Sequence, residues 1–349
     1  MLFLIWVCAY FFNFSEIKNV FLLFSKIIYF SIFPIILFFI TTGFWKKLSS
    51  FLPGIKTFSK NTRFLLWLNL GFFSFLSILT IFCFFWFYNL FVVFGILWVF
   101  LIFSFKENIY LLKSFFTKKF YFNIKEWSWV KFFIWEILLI VAFFLFAVWL
   151  ITIIRPFPVW WDDLWVYMNY PNILAANSGL TSFPEMYSWQ IFTWIWFLFW
   201  EPAFAFFLNF YWYFLSFLTL NLIFSDIFKT KEKLFLPIPL LLSTLFLSLP
   251  MSIFHSIKDI KIEQWLFFIT TFIIFFTYKY LEKIYKKEKI SKIYIFIIWL
   301  FVGFCFSIKF TSLFLIIWII SILSFFRLWI FGLFWFLFLL FWFFSILKY

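Results

Sequence analysis

Charged side chains are scarce in this sequence of 349 residues, since Asp, Glu, Lys and Arg together make up only 12%. A soluble domain carries roughly 25% charged residues, so the chain lacks the polar surface that a water-exposed fold needs. This composition also excludes a disordered chain, a coiled coil and a collagen-like repeat. Only three cysteines are present, without a CxxC pair, which excludes a disulfide-stapled secreted module.

Residues that several enzyme classes require are also missing. His255 is the only histidine, so a zinc site of the HExxH kind is impossible. The sequence has no GxSxG elbow, no phosphate-binding GxxxxGK[ST] loop and no dinucleotide-binding glycine motif. Cys8, Cys83 and Cys305 all lie within apolar runs, which predicts buried hydrophobic side chains for all three.

Hydrophobic residues make up 67% of the chain, and aromatic residues alone make up 31%. A membrane helix needs about 20 apolar residues, and the sequence contains about ten or eleven such stretches. We therefore predict an all-α, polytopic transmembrane protein that forms a single integral membrane domain. The predicted spans are 20–43, 64–85, 90–105, 132–154, 203–224, 234–250, 264–280, 293–308, 310–326 and 330–347, with a shorter apolar segment at 1–12.

The basic residues divide the loops between two sides of the membrane. Most of the 28 Lys and Arg residues fall in segments 45–63, 104–131, 225–233 and 279–292. Loops rich in Lys and Arg stay in the cytoplasm. The net charge of +14 therefore indicates topology in a plasma membrane and the neighbourhood of membrane lipids, and not nucleic-acid binding.

The remaining loops, 86–89, 155–188 and 251–263, are then predicted on the outer face. Between 155–188 and 225–233 the chain needs an odd number of crossings, and span 203–224 supplies one. Residues 189–200 should therefore not cross the membrane. Their four tryptophans predict a helix that lies at the outer interface, where indole rings settle.

Loop 155–188 is the longest outward segment and carries the main candidates for catalysis. It opens with the rigid sequence RPFP, and Asp162 and Asp163 follow within WWDDLW. A carboxylate held against apolar rings is desolvated, which raises its pKa toward that of a useful base. The alternative is that the pair caps a helix beginning near Leu164. Both hold if Asp162 lies in the site and Asp163 at the cap.

The string WDDLWVYMNYPNILAANSGL, followed by FPEMYSW, resembles the first outer loop of the C-fold membrane glycosyltransferases. More narrowly, it is similar to bacterial relatives of the dolichyl-phosphate-mannose protein mannosyltransferases, a family-39-like group. Asp162 matches the acid of that pattern, Tyr167 its aromatic residue, Pro171 its proline and Glu185 its later acid. Met168 stands where a histidine is common, which is a departure.

Two downstream stretches continue the resemblance. Lys258-Asp259 follows span 234–250, where relatives carry Lys or Asn before Asp in a short second outer loop. Relatives also carry a GxxxGxKYT stretch, and Gly303, Ser307, Lys309, Phe310 and Thr311 fall on that frame. The resemblance covers residues 131–326, and the spans in 1–130 and 327–349 carry no recognisable chemistry. Relatives are generally longer, so we expect a shortened member or a fragment.

The resemblance implies that a sugar passes from a polyprenyl-phosphate donor to a lipid, glycan or protein acceptor at the outer face of the cell envelope. Asp162 is then the general base, with Asp163 as a second catalytic candidate. Asp259 would orient the acceptor or, with Asp162, hold a divalent cation. The remaining candidates bind substrate: Lys258, Lys309 and Arg155 the lipid phosphate, and Glu185, Tyr167 and His255 other parts of it.

Each binding candidate has a structural alternative. Lys309 would be an interfacial snorkelling lysine, Lys258 a solvated loop charge and Arg155 a helix-end anchor. Glu185 would cap a helix, and His255 would be a plain loop residue.

Two other functions compete with sugar transfer. A multi-pass transporter or lipid flippase needs a polar pathway, but few ionisable residues lie inside the spans, among them Lys26 and Glu136. A non-catalytic membrane scaffold requires only that Asp162 and Asp259 lie apart.

Overall fold

The computed structural model describes most of the predicted helices and a few loop positions. It covers residues 14–116, 187–199, 203–228, 237–249, 262–288, 292–309 and 312–325, together with 133, 134, 136–138, 140, 141, 144, 173 and 176–179. All regular structure within these residues is helical. The predicted all-α fold is therefore confirmed for this part of the chain.

The helices with defined bounds are numbered in chain order. They are α1 (Phe14–Ser49), α2 (Lys60–Phe84), α3 (Leu90–Phe103), α4 (Phe105–Phe116), α5 (Tyr187–Thr193), α6 (Ile195–Leu198), α7 (Ala203–Ile227), α8 (Pro237–Leu247), α9 (Glu263–Tyr285), α10 (Ile293–Ile308) and α11 (Leu313–Phe325). Polar caps begin two of them. The Ser59 hydroxyl accepts a hydrogen bond from the Thr62 amide before α2, and the Asn89 side chain accepts one from the Val92 amide before α3.

Four described stretches are long and apolar enough to cross a membrane, namely Ser25–Ser49, Lys60–Phe84, Phe204–Ile227 and Trp265–Tyr285. The bent pair α3 and α4 makes a fifth if it is one span, and α8 and α10 contain shorter apolar helices. These lengths are compatible with a multi-pass membrane protein. The predicted segment 1–12 and span 330–347 lie outside the described residues, and span 132–154 is described only at scattered positions.

Helix α7 is the central helix of the described bundle. Its apolar window is 94% buried inside the protein, whereas the windows in α1, α2 and α9 are 50% to 56% buried. It packs against all three of those helices and against α8. Helices α1 and α2 also approach each other closely, because a Cβ on Gly71 would lie 2.2 Å from the Thr41 carbonyl oxygen.

The four basic segments meet at one end of the bundle, which we call the basic end. Lys47 Nζ lies 3.6 Å from Glu107 Oε1, which joins segments 45–63 and 104–131. The Ser59 hydroxyl donates a 2.9 Å hydrogen bond to Asp226 Oδ1, and Lys279 forms an ion pair with the same carboxylate. These contacts bring segments 45–63, 225–233 and 279–292 together. The segments rich in Lys and Arg therefore lie at the same end of the bundle.

Segment 104–131, predicted as a loop, begins with a helix. The helix α3 ends at Phe103, and α4 leaves it at an angle of 83° from Phe105 onward. The charged residues Lys106 and Glu107 end the apolar run of α3, which is why the sequence predicts the end of a span here. Their helix propensity nevertheless lets the chain continue as a helix in a new direction.

Residues 190–195, within the predicted interfacial segment 189–200, are buried. Helices α5 and α6 have seven and four residues, so neither can cross a hydrocarbon layer of about 30 Å. Phe192 and Ile195 are fully buried, and Trp194 is only 1% exposed. The prediction of an interfacial helix is therefore wrong for Trp194. Indole content alone does not separate a helix lying on a membrane surface from one inserted among other helices.

Two of the three cysteines lie in the described core. Cys83 and Cys305 are both buried and form no disulfide. The prediction of buried hydrophobic side chains is confirmed for these two, and Cys8 lies outside the described residues.

Candidate functional site

Lys309 is the predicted site residue that falls within the described part of the chain. The other predicted site residues lie outside it, and their positions stay predictions: Asp162, Asp163, Asp259, Glu185, Lys258, Tyr167, Arg155 and His255. The candidate site is therefore built here from Lys309 outward. It lies at the end of the bundle opposite the basic end, which we call the far end.

Lys309 forms an ion pair with the first residue of another helix. It caps the end of α10 in an extended conformation, with φ −155° and ψ 132°. Its Nζ atom lies 2.6 Å from Oε1 of Glu263, the residue that begins α9. The ion pair therefore joins the end of loop 251–263 to the lysine of the GxxxGxKYT-like stretch, which we call the third motif. The two residues are 46 positions apart in the sequence.

Sequence reasoning missed Glu263 as a site residue. A signal was available, because an acid in the first turn of a helix is stabilised by the helix dipole. The sequence could not show that Lys309 lies beside it, since that contact depends on the antiparallel packing of α9 and α10. Oppositely charged residues at neighbouring helix ends can be identified as partners only when the pairing of the helices is known.

The Lys309–Glu263 ion pair is open to a ligand. The side chains keep 34% and 33% of their exposure, so both reach the surface. The second carboxylate oxygen, Oε2, is buried and accepts no hydrogen bond from a described residue. A phosphate could therefore compete with Glu263 for the partly exposed Lys309 ammonium.

Aromatic rings form a wall behind this ion pair. The Trp265 ring, two residues after Glu263, stacks on Trp212 with a centroid distance of 4.8 Å. Phe72 meets the edge of Trp212 at 4.4 Å, and Phe304 lies 5.6 Å from Trp265. Both indoles are fully buried, so these rings belong to the core. A wall of this kind fixes the start of α9 and hence the position of Glu263.

Tyr88 holds two segments together at the far end, both of them predicted to be outer loops. Its backbone amide donates a 2.8 Å hydrogen bond to the Ser178 carbonyl, which joins loop 86–89 to loop 155–188. Its phenol donates a 2.9 Å hydrogen bond to the Ile191 carbonyl of α5. Burial raises the pKa of Tyr88 well above its ordinary value, with a smaller contribution from Cys83, so the phenol keeps its proton.

The backbone is strained where these two loops meet. Trp86 and Ser178 have φ angles of 63° and 54°, in the left-handed region that non-glycine residues rarely occupy. Gly179 fits against the Trp86 ring, because a Cβ there would lie 2.7 Å from the indole. The end of loop 155–188 is thus held tightly against loop 86–89.

A metal site is predicted only at Asp162 and Asp259, which the structure does not describe. Among the described residues, no three His, Cys, Asp or Glu side chains come together in a way that could hold a metal ion. The divalent cation therefore stays a prediction that depends on those two aspartates.

Comparison of the chain with protein-family models, with curated proteins and with solved structures finds no match.

Proposed function

We propose that the chain is a membrane glycosyltransferase that moves a sugar from a polyprenyl-phosphate donor to a lipid, glycan or protein acceptor. The observation that carries the proposal is the Lys309–Glu263 ion pair. The resemblance requires the second outer loop and the lysine of the third motif to lie at one site. The ion pair supports this, because Glu263 directly follows that loop.

We place the basic end in the cytoplasm and the far end at the outer face of a plasma membrane. The positive-inside rule supports this orientation, since the four basic segments share one end. Loops 155–188 and 251–263 then meet the outer leaflet, where a lipid-linked sugar presents its phosphate. The orientation is testable by labelling single cysteines introduced at each end.

The proposed chemistry is a displacement at C1 of the sugar. The acceptor oxygen forms a bond to C1, the bond from C1 to the phosphate oxygen breaks, and the phosphate leaves with the bonding electrons. Asp162 takes the acceptor proton, and Lys309, with Lys258 and Arg155, stabilises the charge on the leaving phosphate. Glu263 holds Lys309 until the phosphate arrives.

A transporter or flippase is less well supported by the described spans. Such a protein needs polar groups that face a pathway. The buried hydroxyls of Ser216, Ser243 and Thr277 instead donate to carbonyl oxygens four residues earlier in their own helices, at 2.7 to 2.9 Å. These three hydroxyls are satisfied within their helices, so they give no support to a pathway.

The test is sugar transfer by membranes containing the chain, with labelled polyprenyl-phosphate hexoses as donors and a native lipid extract as acceptor. Asp162→Asn keeps size and hydrogen bonding but removes the base, so transfer should fall by about 10²–10⁴-fold at equal protein level. Lys309→Gln should also lower transfer, whereas Lys292→Gln, at the other end of the same helix α10, should not.

Each result bears on a separate part of the proposal. Equal transfer by wild type and Asp162→Asn would remove Asp162 as the base. Equal losses in Lys309→Gln and Lys292→Gln would remove the specific role of Lys309. No transfer by the wild type with any hexose donor would contradict the enzyme class, and a flipping assay would then test the alternative.

A further inference from the structure

Helix α4 crosses the basic end of the bundle and presents three different faces. Because α4 leaves α3 at 83°, it runs across the end of the bundle and not along it. Residues three and four apart share a face of a helix. By this spacing the buried, the apolar exposed and the basic residues of α4 fall into three separate stripes.

The first stripe fixes α4 to the protein. Asn108 and Leu111 are buried, at 8% and 6% exposure. Asn108 fits directly against α1, since a Cβ on Gly43 would lie 1.7 Å from its side-chain oxygen. Beside this stripe, Glu107 pairs with Lys47 of α1 at 3.6 Å. The helix α4 is therefore packed against the bundle through this stripe.

The second stripe is apolar and uncovered. Phe105, Ile109 and Leu112 are 57%, 38% and 46% exposed. Apolar side chains at this spacing, on a helix that lies across the end of a membrane bundle, fit the boundary between headgroups and acyl chains. A soluble anion or a nucleic acid would gain nothing from this stripe.

The third stripe is basic and lies next to the apolar one. It consists of Lys106, Tyr110 and Lys113, all exposed, and neither lysine forms an ion pair with a described residue. Lys46 of α1 joins it, because its Nζ atom lies 3.5 Å from the centre of the Tyr110 ring. The acid of α4, Glu107, is already paired with Lys47. Two exposed cations, Lys106 and Lys113, and the partly buried Lys46 thus surround one aromatic ring.

We propose that this surface binds the headgroup of an anionic phospholipid in the leaflet at the basic end. The phosphate contacts Lys46, Lys106 and Lys113 beside Tyr110, while the acyl chains lie along Phe105, Ile109 and Leu112. A lipid satisfies both stripes at once, and its negative charge complements Lys106 and Lys113, which form no ion pair with a described residue. The surface is at the opposite end from the candidate site and does not depend on the proposed reaction.

The test measures lipid binding by the full chain purified in a neutral detergent. The probe is dioleoyl-phosphatidylglycerol, with dioleoyl-phosphatidylcholine as the neutral lipid and inorganic phosphate as the soluble anion. Native mass spectrometry counts retained lipid, and thermal unfolding reports protection. We expect the wild type to retain and be protected by phosphatidylglycerol and by neither of the other two.

The variant is the double substitution Lys106→Gln and Lys113→Gln, which should weaken phosphatidylglycerol binding by about 30-fold if each lysine contributes as juxtamembrane lysines do. The matched control is Lys287→Gln with Lys292→Gln, which removes the same charge from exposed positions at the basic end. Unfolding in phosphatidylcholine should be unchanged for both, which separates binding from folding.

Three outcomes would overturn the proposal. The first is equal binding of phosphatidylglycerol and phosphatidylcholine. The second is equal weakening in the variant and the control, which would make the effect one of net charge alone. The third is protection by inorganic phosphate at the same level, which would assign the cations to a soluble anion.

Discussion

The two ends of helix α9 carry ion pairs of different character. Near its end, Lys279 pairs with Asp226, and the side chains are only 19% and 11% exposed. The Ser59 hydroxyl donates to the same carboxylate. At its start, Glu263 pairs with Lys309, and both side chains are about one third exposed.

This difference separates a structural ion pair from one that is available for function. The pair at the basic end is partly buried and shared, because Lys279 also binds Glu282 at 3.1 Å. It joins α7 and α9 to the start of α2. The pair at the far end joins only two helix ends and is more exposed. The following predictions test this contrast, from the largest effect to the smallest.

The largest effect is expected for Lys279→Met, which leaves the partly buried Asp226 carboxylate without its cation. The pair lies between an exposed and a fully buried one, so we expect the free energy of unfolding to fall by about 2 kcal/mol. The measurement is reversible unfolding in mixed detergent micelles. The double variant Asp226→Asn with Lys279→Met should recover part of the loss, and an unchanged stability in the single variant would show that the pair is not structural.

A smaller loss is expected for Tyr88→Phe, which removes one hydrogen bond at the far end. The Ile191 carbonyl would remain buried without its donor, so the free energy of unfolding should fall by about 1–2 kcal/mol. Tyr29→Phe is the control, because Tyr29 is 62% exposed. Equal effects of the two substitutions would mean that the far end is not held by this contact.

The sequence predicted the helices better than the contacts between their ends. Span 293–308 coincides with α10, and span 64–85 differs from α2 by a few residues, because long apolar runs are visible in composition. The grouping of four loops at one end also followed from charge alone. Both features depend on local composition, which the sequence displays directly.

Features that depend on packing were missed. The turn of 83° after Phe103 does not change the apolar composition before it, so the sequence indicates a span end but no direction. The burial of Trp194 depends on neighbouring helices that are distant in sequence. The Lys309–Glu263 contact likewise requires the pairing of α9 with α10. Of the two residues in this contact, only Lys309 was predicted as a site residue, and that prediction came from the resemblance.

A double-mutant cycle at the far end should give a still smaller value. Glu263→Gln alone should change the free energy of unfolding by about 1 kcal/mol or less, since a partly exposed ion pair is worth little. The coupling energy between Glu263→Gln and Lys309→Gln should likewise stay below about 1 kcal/mol. A coupling as large as that of Asp226 and Lys279, measured by the same cycle, would remove the contrast between the two ends.

The smallest effect is expected for Lys286→Gln, just beyond the end of α9. Lys286 Nζ lies 2.5 Å from Glu282 Oε1, and this contact raises the pKa of Lys286 above its ordinary value of 10.5. A raised pKa gives stability that is present below the unfolded pKa and lost as pH rises through the folded one. Because the lysine is exposed and solvent screens the pair, we expect no resolvable change in the unfolding midpoint between about pH 6 and pH 9. A clear loss of stability within that range would mean that exposed ion pairs also stabilise the basic end. Burial would then not distinguish the contribution of Lys279 from that of Lys286.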